Sequence, residues 1–533
     1  MNNGKVNNNN KTNNNYVWPV RSDNNSPRLF SFENLYKRYI DCRKNKRNTI
    51  NALRFEINYE ENLLDLQKKL VKRTYYPSRS VCFMATKPKL REIFAADFKD
   101  RIVHHILVDY LEKIWEPGFI YDSYACRKNK GIHLAVERLQ IFLRKITANG
   151  TKKAFYLQLD IENFFMSLNK QILFEIISKK VKDEQILWLA KTLIFHDCTE
   201  NHLLKGDKNY KKKIPPHKTL FNSGKLRGLP IGNLTSQFFA NVYLNEFDQF
   251  VKHVLKCRYY MRYCDDFILL SCDQKTLMSW KGEIKKFLSQ RLKLSLNKKR
   301  AYFQPVSNGI NFLGYIVRKD YTLVRQRVVN NFKSKLLDYE KKLIRNNIGS
   351  YVKILYDLQI LDELRKILAS YSGHLKWANS YTLTKNIFDK FNFLQNYFII
   401  FNKKIIPKYK IYKGISNLKL QYMVIKTMFP DDVILFPVGS FYEFFHDSSD
   451  IAVLLGLNKM VKRSSQSPSY GFPVRLKEKF IKKLKFLQRS ITVVKQTDKY
   501  FVGIRERIPD YRLLRQYPVQ TSWEYDRAFL LAM

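Results

Sequence analysis

"YYMRYCDDFILL", residues 259–270, is the stretch of sequence that decides the fold of this chain. Its apolar flanks are typical of two buried strands, and the adjacent carboxylates Asp265 and Asp266 stand between them. An unpaired charge is costly to bury, so two like charges in this place need a physical reason. We predict a hairpin with both carboxylates at its tip, where bound cations neutralise them. A turn that uses Asp for local hydrogen bonds is the alternative.

A third carboxylate follows a similar strand-like pattern. "KKAFYLQLDIENFFMSLN", residues 152–169, places Asp160 at the end of an alternating apolar run. Three carboxylates brought together make a poor core but a good magnesium site, because Mg²⁺ prefers oxygen ligands and shares its shell with substrate phosphates. Two such ions would clamp the attacking and leaving oxygens of a phosphoryl transfer. These residues therefore indicate phosphoryl-transfer chemistry.

The charge of the chain indicates the kind of partner. The 533 residues include 95 Lys and Arg against 47 Asp and Glu, a formal net charge of +48. Such a surplus favours a polyanionic binding partner, and nucleic acid is the first candidate. An A+T-rich coding bias is an alternative cause, because it also raises the lysine content. None of the seven cysteines forms a CxxC pair, and no segment has the length and apolarity of a membrane span. We therefore expect a cytoplasmic protein with reduced thiols and no membrane partner.

Changes in composition divide the chain. Residues 1–26 are Asn-rich and are expected to be disordered. Residues 27–320 mix short strand and helix patterns, and residues 321–403 have helical apolar spacing. Residues 404–412 have the composition of a linker, and residues 413–533 form a further unit with the strand patterns "DVILFPVG" and "ITVVKQT". The overall fold class expected from these patterns is α+β.

Seven blocks of the first part, in order, resemble the motifs of reverse transcriptases. They are "KPKLREIFAADFKDRIVHHIL" (87–107), "YDSYACRKNKGIH" (121–133), "LDIENFF" (159–165), "GLPIGNLTSQFFANVYLNEFD" (228–248), "YCDDF" (263–267), "LSLNKKR" (294–300) and "NFLGYIV" (311–317). The resemblance implies a right-hand polymerase, with fingers and palm at 27–320 and a helical thumb at 321–403. It also implies RNA-directed DNA synthesis from dNTPs, in a bacterial, archaeal or phage-encoded protein.

The resemblance assigns the catalytic groups residue by residue. It implies that Asp160 and Asp265 bind two Mg²⁺ ions, with Mn²⁺ as a possible substitute. The backbone carbonyl of Ile161 and the side chain of Asp266 would support this site. Phe165 would lie under the sugar of the incoming nucleotide and exclude a 2′-hydroxyl, whereas its neighbour Phe164 is expected in the core.

Further positions are assigned to the incoming dNTP. Arg91 would reach the triphosphate with its forked guanidinium, and Lys89 is a second candidate in the same segment. Lys299 could protonate the leaving pyrophosphate, with Lys298 as an equal contender. Gly232 would also lie at the incoming nucleotide, next to Ile231.

The "IGNLTSQ" segment narrows the resemblance to the reverse transcriptases of diversity-generating retroelements, together with "SYSGHLKWANSY" (370–381). Ile231 takes the place of a Gln that in most reverse transcriptases hydrogen-bonds the incoming nucleotide, and Gln237 takes the place of a Pro. Losing one such hydrogen bond costs on the order of 1 kcal/mol, which would loosen base selection. In the same thumb segment, His374 and Trp377 could contact nucleic acid or pack helices.

This resemblance implies an error-prone polymerase that makes adenine-mutated cDNA from a retroelement template RNA. Its partners would be the template RNA, the RNA–DNA hybrid and possibly a small basic accessory protein. An antiphage defence reverse transcriptase of ordinary fidelity, in which Ile231 merely packs the pocket, is the first alternative. A non-catalytic RNA-binding scaffold is the second, and the three intact carboxylates argue against it.

The last unit resembles the N-terminal mismatch-recognition domain of MutS. The matching segments are "LKLQYMVIKTMFPDDVILFPVGSFYEFFHDSSDIAVLLGL" (418–457) and "SYGFPVRLKEKFIKKLKFLQRSITVVKQTD" (469–498). The resemblance implies that Phe441 wedges against a mispaired base and that Glu443 hydrogen-bonds to it. Residues 437–440 depart from the family's Arg-Met-Gly-Asp, and no GxxxxGK(S/T) P-loop occurs, so mismatch repair itself is not expected. The alternative is a duplex-binding fold with Phe441 in its core.

Overall fold

The structure is a computed structural model that divides the chain into two compact units, Met1–Asn308 and Gly309–Met533. The Asn-rich segment 1–26 lies outside the residues it describes. Those residues are 28–44, 49–86, 89–207, 209–348, 351–401, 404–409, 417–445, 449–460, 469–501 and 503–515. Both units mix helices and strands, which confirms the α+β fold class.

The first unit has two small sheets and eleven helices in its described part. The strands are β1 Ser80–Ala85, β2 Arg91–Ala95, β3 Phe155–Asp160, β4 His202–Lys205, β5 Tyr259–Tyr263, β6 Asp266–Ser271 and β7 Tyr302–Pro305. The helices are α1 Phe32–Arg43, α2 Ile50–Ile57, α3 Tyr59–Val71, α4 Phe98–Trp115, α5 Ile132–Ile146, α6 Phe164–Ser167, α7 Lys170–Lys180, α8 Glu184–Phe195, α9 Asn209–Lys212, α10 Leu234–Gln249 and α11 Gln274–Arg291.

The palm sheet, in the order β5-β6-β3-β7, is antiparallel throughout. Successive side chains of a strand point to opposite faces, and both faces of the central strands β3 and β6 are buried here. Leu157 and Leu159 of β3, with Phe267 and Leu269 of β6, join the main core together with residues of helices α4, α10 and α11. This core fixes the ends of β3 and β6, where the carboxylates lie.

The fingers sheet has the order β2-β1-β4. Helix α4 follows β2 closely, and Asp97 caps its N-terminus by accepting a hydrogen bond from the Lys99 amide. Capping of this kind satisfies one of the orphan amides of a first helical turn. Helix α10 carries buried side chains on almost every face, because it passes between the palm sheet and the surrounding helices.

The second unit begins with a small sheet, followed by three longer helices. Its helices are α12 Gln326–Leu343, α13 Leu358–Leu375, α14 Tyr381–Lys390, α15 Leu418–Met428, α16 Ser449–Leu455 and α17 Lys477–Phe486. Its strands are β8 Ile310–Phe312, β9 Tyr315–Val317, β10 Thr322–Val324, β11 Ile344–Ile348, β12 Tyr351–Leu355, β13 Phe398–Phe401, β14 Lys404–Pro407, β15 Val433–Val438, β16 Phe441–Phe444, β17 Lys459–Met460, β18 Ser469–Pro473, β19 Ile491–Phe501 and β20 Ile504–Leu514.

An eight-stranded sheet unites the thumb and the tail, contrary to the expected division at 404–412. Its order is β11-β12-β20-β19-β15-β16-β18-β17. Strands β11 and β12 lie between thumb helices α12 and α13, yet β12 pairs with β20 of the tail in the register Val352↔Leu514 to Leu355↔Tyr511. The thumb segment is therefore not purely helical. Part of the expected linker is likewise a strand, since β14 pairs with β13.

Helices α16 and α17 pack on one face of this sheet, where Tyr442, Phe444 and Phe472 meet Ile481 and Leu484. The tail sheet therefore has its own hydrophobic core. Among the residues that the structure describes, no helix is both long and apolar enough to cross a membrane.

Candidate active site

The expected hairpin is present, and its tip carries the acidic pair. Tyr263 and Asp266 are paired across the β5–β6 ladder, so Cys264 and Asp265 form a two-residue turn. Cys264 has φ +57°, a left-handed conformation that tight hairpin turns require and that side chains rarely adopt. On the neighbouring strand, Asp160 lies directly opposite Asp266 in the β3–β6 register. The structure thus brings all three carboxylates to one end of the palm sheet.

Burial and mutual repulsion dominate the electrostatics of this cluster. Burial raises the pKa of Asp266 to about 7; the Gln158 side chain opposes the shift, and the charges of Asp160 and Asp265 add to it. Burial likewise raises the pKa of Asp265, followed by the charge of Asp160, whereas the Arg91 guanidinium acts in the opposite direction. The nearby guanidinium groups of Arg91 and Arg300 therefore do not outweigh burial and repulsion at Asp265 and Asp266.

Three polar side chains that the sequence motifs did not single out orient the carboxylates. Gln158 Nε2 donates to both carboxylate oxygens of Asp266, at 3.0 and 3.2 Å. Asn297 Nδ2 donates to Asp160 Oδ2 at 3.0 Å, and Arg300 Nη1 lies 3.4 Å from the same oxygen. Gln158 precedes Asp160 by two residues on β3, so the two side chains point to the same face of the strand. The alternation of the strand could therefore have identified Gln158 from the sequence. Asn297 and Arg300 come from a distant loop.

The residues fit a divalent cation site that substrate completes. Among the described residues no three His, Cys, Asp or Glu side chains form a ready set of metal ligands. Mg²⁺ nevertheless commonly takes only one or two carboxylates and fills its shell with waters and substrate phosphates. Oxygen donors suit such an ion, and its positive charge would offset the repulsion between the carboxylates. Ile161, whose carbonyl the sequence assigns to this site, is buried, and its amide donates to the Asp265 carbonyl at 3.2 Å.

The loop before α10 is fixed against the fingers sheet through its backbone. The Ile231 carbonyl accepts a hydrogen bond from the Phe94 amide at 2.8 Å. Gly232 has φ +124°, and a Cβ there would lie 2.8 Å from the Phe94 carbonyl oxygen, so this position requires glycine. Asn233 Oδ1 accepts from the Ala96 amide at 3.1 Å. Ile231 itself is half-buried, while Gln237, one turn into α10, is exposed.

The other assigned side chains differ in exposure. Arg91 is exposed at the start of β2 and acts electrostatically on Asp265. Phe164 is buried, whereas Phe165 is half-buried, and the two rings meet edge to face. Phe164 therefore lies in the core, and Phe165 packs against that core from a partly exposed position, so its role at the nucleotide stays a prediction.

The three candidate lysines are solvent-exposed. Lys89 precedes β2, and Lys298 and Lys299 lie in the loop after the Leu296 bridge, beyond Asn297. Exposure does not separate Lys298 from Lys299, so the assignment of a proton donor stays a prediction.

A buried ion pair supports the turn that carries Asp265. Arg262 donates from Nε and Nη2 to Asp248 at 2.8 and 2.6 Å, and neither side chain reaches solvent. Tyr260 donates its hydroxyl proton to the same carboxylate at 2.6 Å. Arg262 Nη1 donates to the Cys264 carbonyl at 3.0 Å and to Asn241 Oδ1 at 3.2 Å. The network therefore ties α10 to the turn that carries Asp265.

In the tail, the residues assigned to mismatch recognition lie at one end of β16. Phe441 is 38% exposed and does not belong to the core, while Glu443 on the same strand face is buried. Arg507 is close to Glu443: burial lowers the pKa of this guanidinium, and the Glu443 charge raises it. Arg507 Nε also donates to the Pro437 carbonyl at 2.7 Å. Phe441 is thus accessible beside a buried acid.

The surroundings of His374 favour the packing alternative for that residue, whereas the exposure of Trp377 does not decide between the two alternatives. The His374 ring stacks on Tyr315 with 4.2 Å between centroids, and the Tyr315 hydroxyl donates to the His374 carbonyl at 2.9 Å. A Cβ at Gly314 would touch the same imidazole, so the site is close-packed. Trp377 is exposed.

Comparison with known proteins agrees with this geometry. Residues 83–317 match the family model described as reverse transcriptase (RNA-dependent DNA polymerase), and residues 417–517 match MutS domain I. The chain is 24% identical to Protein YkfC of Escherichia coli over 54% of this chain and 77% of that protein. It is 23% identical to the group II intron-encoded protein LtrA of Lactococcus lactis over 68% of this chain and 70% of that protein.

The C-terminal part has relatives of its own. It is 34% identical to the DNA mismatch repair protein MutS of Chlorobium limicola over 18% of this chain, but only 12% of that protein is covered. The likeness to MutS is therefore confined to a single domain. The match to the reverse transcriptase model and the three carboxylates at one end of the palm sheet indicate that this chain is an RNA-directed DNA polymerase, and its residues 417–517 resemble MutS domain I.

Proposed function

We propose that this polymerase copies the template RNA of a diversity-generating retroelement into cDNA with errors concentrated at template adenines. The observation that carries the proposal is Ile231, an aliphatic side chain on the loop assigned to the incoming nucleotide. This side chain offers no hydrogen bond to a base. Losing one such bond, on the order of 1 kcal/mol, lowers discrimination about fivefold without stopping synthesis.

The backbone around Ile231 supports the proposal. The Phe94–Ile231 hydrogen bond and the close approach of Gly232 to β2 fix the loop, so a polar neighbour cannot easily take over the missing contact. A nucleotide pocket that is rigid but offers no side-chain hydrogen bond to the base favours continued synthesis with reduced base selection. Gln237, at the end of the segment "IGNLTSQ" (231–237), is assigned to the same nucleotide site in this proposal.

The chemistry assigned to the site follows from its residues. Asp160 and Asp265 would hold two Mg²⁺ or Mn²⁺ ions, with Asp266 and the Ile161 carbonyl in support. When bound, such ions lower the pKa of the attacking hydroxyl and neutralise the triphosphate. Gln158 donates to both oxygens of the Asp266 carboxylate and so fixes its orientation.

The remaining groups bind and select the substrate. Arg91 would grip the triphosphate, with Lys89 as a second contact, because a guanidinium matches phosphate oxygens bidentately. Phe165 would exclude a 2′-hydroxyl and so select dNTPs. Lys299 or Lys298 would donate a proton to the leaving pyrophosphate.

The tail would bind mismatched or distorted duplex, such as mutated cDNA on its template. The exposed ring of Phe441 can wedge into a weakened base step, and Glu443 lies on the same strand face. Pairing of β12 with β20 joins this domain to the thumb, which keeps it near any duplex that the thumb holds. A small basic accessory protein is part of the proposed assembly, with template RNA and hybrid.

Sequencing of cDNA made by the full-length protein on a defined RNA tests the proposal. The variants are Ile231→Gln, with Ile231→Val as the matched aliphatic control, and Asp265→Ala to abolish incorporation. Full-length protein is required because truncation before the tail would strip β12 of its partner β20. Misincorporation at template adenines that Ile231→Gln lowers and Ile231→Val leaves unchanged supports the proposal.

The opposite outcomes are equally clear. Accurate copying of adenines by the wild type would overturn the mutagenic role and favour an antiphage defence polymerase of ordinary fidelity. Retention of incorporation by Asp265→Ala would place the chemistry elsewhere. A Phe441→Ala variant with unchanged binding of mismatched and matched hybrids would remove the mismatch role of the tail.

A further inference from the structure

A basic surface on the tail is built jointly by helix α17 and the thumb hairpin β11–β12. We call it the α17 surface and define it by six residues: Lys353, Lys477, Lys482, Lys485, Phe486 and Arg489. Lys353 lies on β12, and the others lie on α17 or in the turn that follows it. Pairing of the hairpin with the tail sheet therefore adds Lys353 to this surface.

Two tyrosines position the lysines from thumb and tail next to each other. Lys353 Nζ lies 4.1 Å from the centroid of the Tyr511 ring, and Lys477 Nζ lies 4.9 Å from the same centroid. Tyr351 is buried under the end of α17, where its hydroxyl donates to the Arg489 carbonyl at 3.1 Å. Lys485 Nζ lies 5.5 Å from the Tyr351 ring. Aromatic faces thus hold ammonium groups that come from distant parts of the sequence.

The positive charge of this surface is not neutralised by nearby acids. Within the described ranges, no carboxylate comes within 4.0 Å of any of its lysines or of Arg489. Asp510 is the acid beside Tyr511, and it pairs with Lys495 at 2.8 Å. Glu478 is exposed on α17 and is the other nearby acid. Four lysines and Arg489 against Glu478 leave the surface with a net positive charge, which suits the phosphates of a nucleic acid.

An exposed aromatic ring accompanies these cations. Phe486, the last residue of α17, is 86% exposed and shares a helical face with Lys479 and Lys482, which precede it by seven and four residues. A phenylalanine in this position contributes little to the core, whose α17 contacts are made by Ile481 and Leu484. A ring among lysines can stack on a nucleobase, and a base is free to stack in this way when it is unpaired.

The α17 surface is separate from the proposed mismatch site. Tyr442 and Phe444 point from β16 into the core beneath α17, so Phe441 and Glu443 point to the opposite face of the sheet. One face of the tail therefore carries the proposed duplex contact, and the other carries lysines and a free ring.

We propose that the α17 surface binds single-stranded nucleic acid, with Lys353, Lys477 and Lys485 on its phosphates and Phe486 stacked on a base. The proposal does not depend on the adenine errors or on Phe441. It gives the thumb hairpin a role beyond pairing with the tail, because Lys353 supplies one of the phosphate contacts. The strand is either unpaired template RNA or free cDNA, which share this chemistry.

Binding of labelled single strands to the full-length protein tests the proposal. Fluorescence anisotropy is measured with an RNA strand and a DNA strand of one sequence, while unlabelled blunt-ended hybrid saturates the polymerase groove. For single strands, log K falls with log[salt] by about 0.7 per phosphate contact. The triple variant K353Q/K477Q/K485Q should therefore lower this slope by about 2. Phe486→Ala should weaken binding at least about fivefold and leave the slope unchanged.

A charge-matched control is K72Q/K275Q/K285Q, which removes three exposed lysines from the first unit. Equal effects of the two triple variants, or unchanged binding by Phe486→Ala, would overturn the proposal. Equal loss of labelled duplex and single-strand binding would overturn the preference for single strands. Stronger effects on RNA than on DNA, or the reverse, identify which strand is bound. Unchanged thermal unfolding of the variants excludes misfolding, as expected for side chains outside the core.

Discussion

The first prediction concerns the buried pair Arg262–Asp248, which contacts the turn that carries Asp265. Replacing Arg262 by Met leaves the Asp248 carboxylate without solvent and with Tyr260 as its remaining hydrogen-bond donor among the contacts described above. Removing one partner of a buried pair costs about 3–5 kcal/mol, because the other charge stays desolvated. We expect Arg262→Met to lower the free energy of unfolding of the polymerase unit by that amount.

The whole network can instead be replaced by apolar groups of similar size. In the triple variant Asp248→Leu, Tyr260→Phe and Arg262→Met, no charge and no hydroxyl is left buried, and such replacements are often neutral. We expect its stability to lie within about 2 kcal/mol of the wild type. The Cys264 carbonyl would still lack the donor that Arg262 supplies at 3.0 Å. Loss of a charged hydrogen bond of about 1.5–3 kcal/mol would lower kcat about ten- to hundredfold.

Two assays separate stability from positioning. Urea unfolding followed by tryptophan fluorescence gives the free energies, and primer extension on an RNA template gives kcat and KM for dNTP. A stable triple variant with reduced kcat and unchanged KM is the expected result. The reasoning is refuted if Arg262→Met costs less than about 1 kcal/mol, or if the triple variant keeps wild-type kcat.

The remaining predictions address the metal site, the nucleotide loop and the tail. Burial raises the pKa of Asp266 to about 7, so Mg²⁺ binding should release a proton from this carboxyl. The affinity for Mg²⁺ should therefore fall as the pH falls through about 7. Calorimetry in two buffers that differ in their heat of protonation measures both the affinity and the released proton. Without metal, a raised carboxyl pKa favours the folded state at low pH, so stability should fall as the pH rises through about 7, and Asp266→Asn should remove that fall. Gly232→Ala places a methyl group 2.8 Å from the Phe94 carbonyl at φ +124° and should raise the KM for dNTP, while synthesis with a wild-type KM would contradict this. Asp432→Ala removes two hydrogen bonds from Arg512, at 2.7 and 2.8 Å, and should destabilise the tail by about 3 kcal/mol, seen as faster proteolysis of the tail than of the palm.

Much of the palm could be predicted from local sequence. Alternating apolar residues around Asp160 and around Asp265–Asp266 indicate strands, and the acidic pair between two such runs indicates a hairpin tip. The structure has these strands and brings the three carboxylates together. Asn297 and Arg300 belong to the block 294–300, but nothing in that block shows that their side chains reach Asp160, which is distant in sequence.

The boundary between thumb and tail differs from the division at 404–412 that the sequence predicted. The pattern "YVKIL" at Tyr351–Leu355 is compatible with a strand, but nothing local shows that its partner is β20, more than a hundred and fifty residues further on. The helical spacing on both sides of it, in α12 and α13, favoured a continuous helical thumb. A strand's partner depends on which edge of a sheet is open and on what its side chains bury there.

Sequence by itself determined the chemistry of this protein: which side chains are acidic, basic or aliphatic at each motif position, and which segments form strands or helices. Those properties depend on residue type and short-range periodicity, which the chain carries locally. Only the tertiary structure decided that Gln158 and Asn297 hold the carboxylates, that Arg262 supports their turn, and that a thumb hairpin completes the tail sheet. Such contacts join distant residues, and their free energy depends on burial and geometry that exist once the chain has folded.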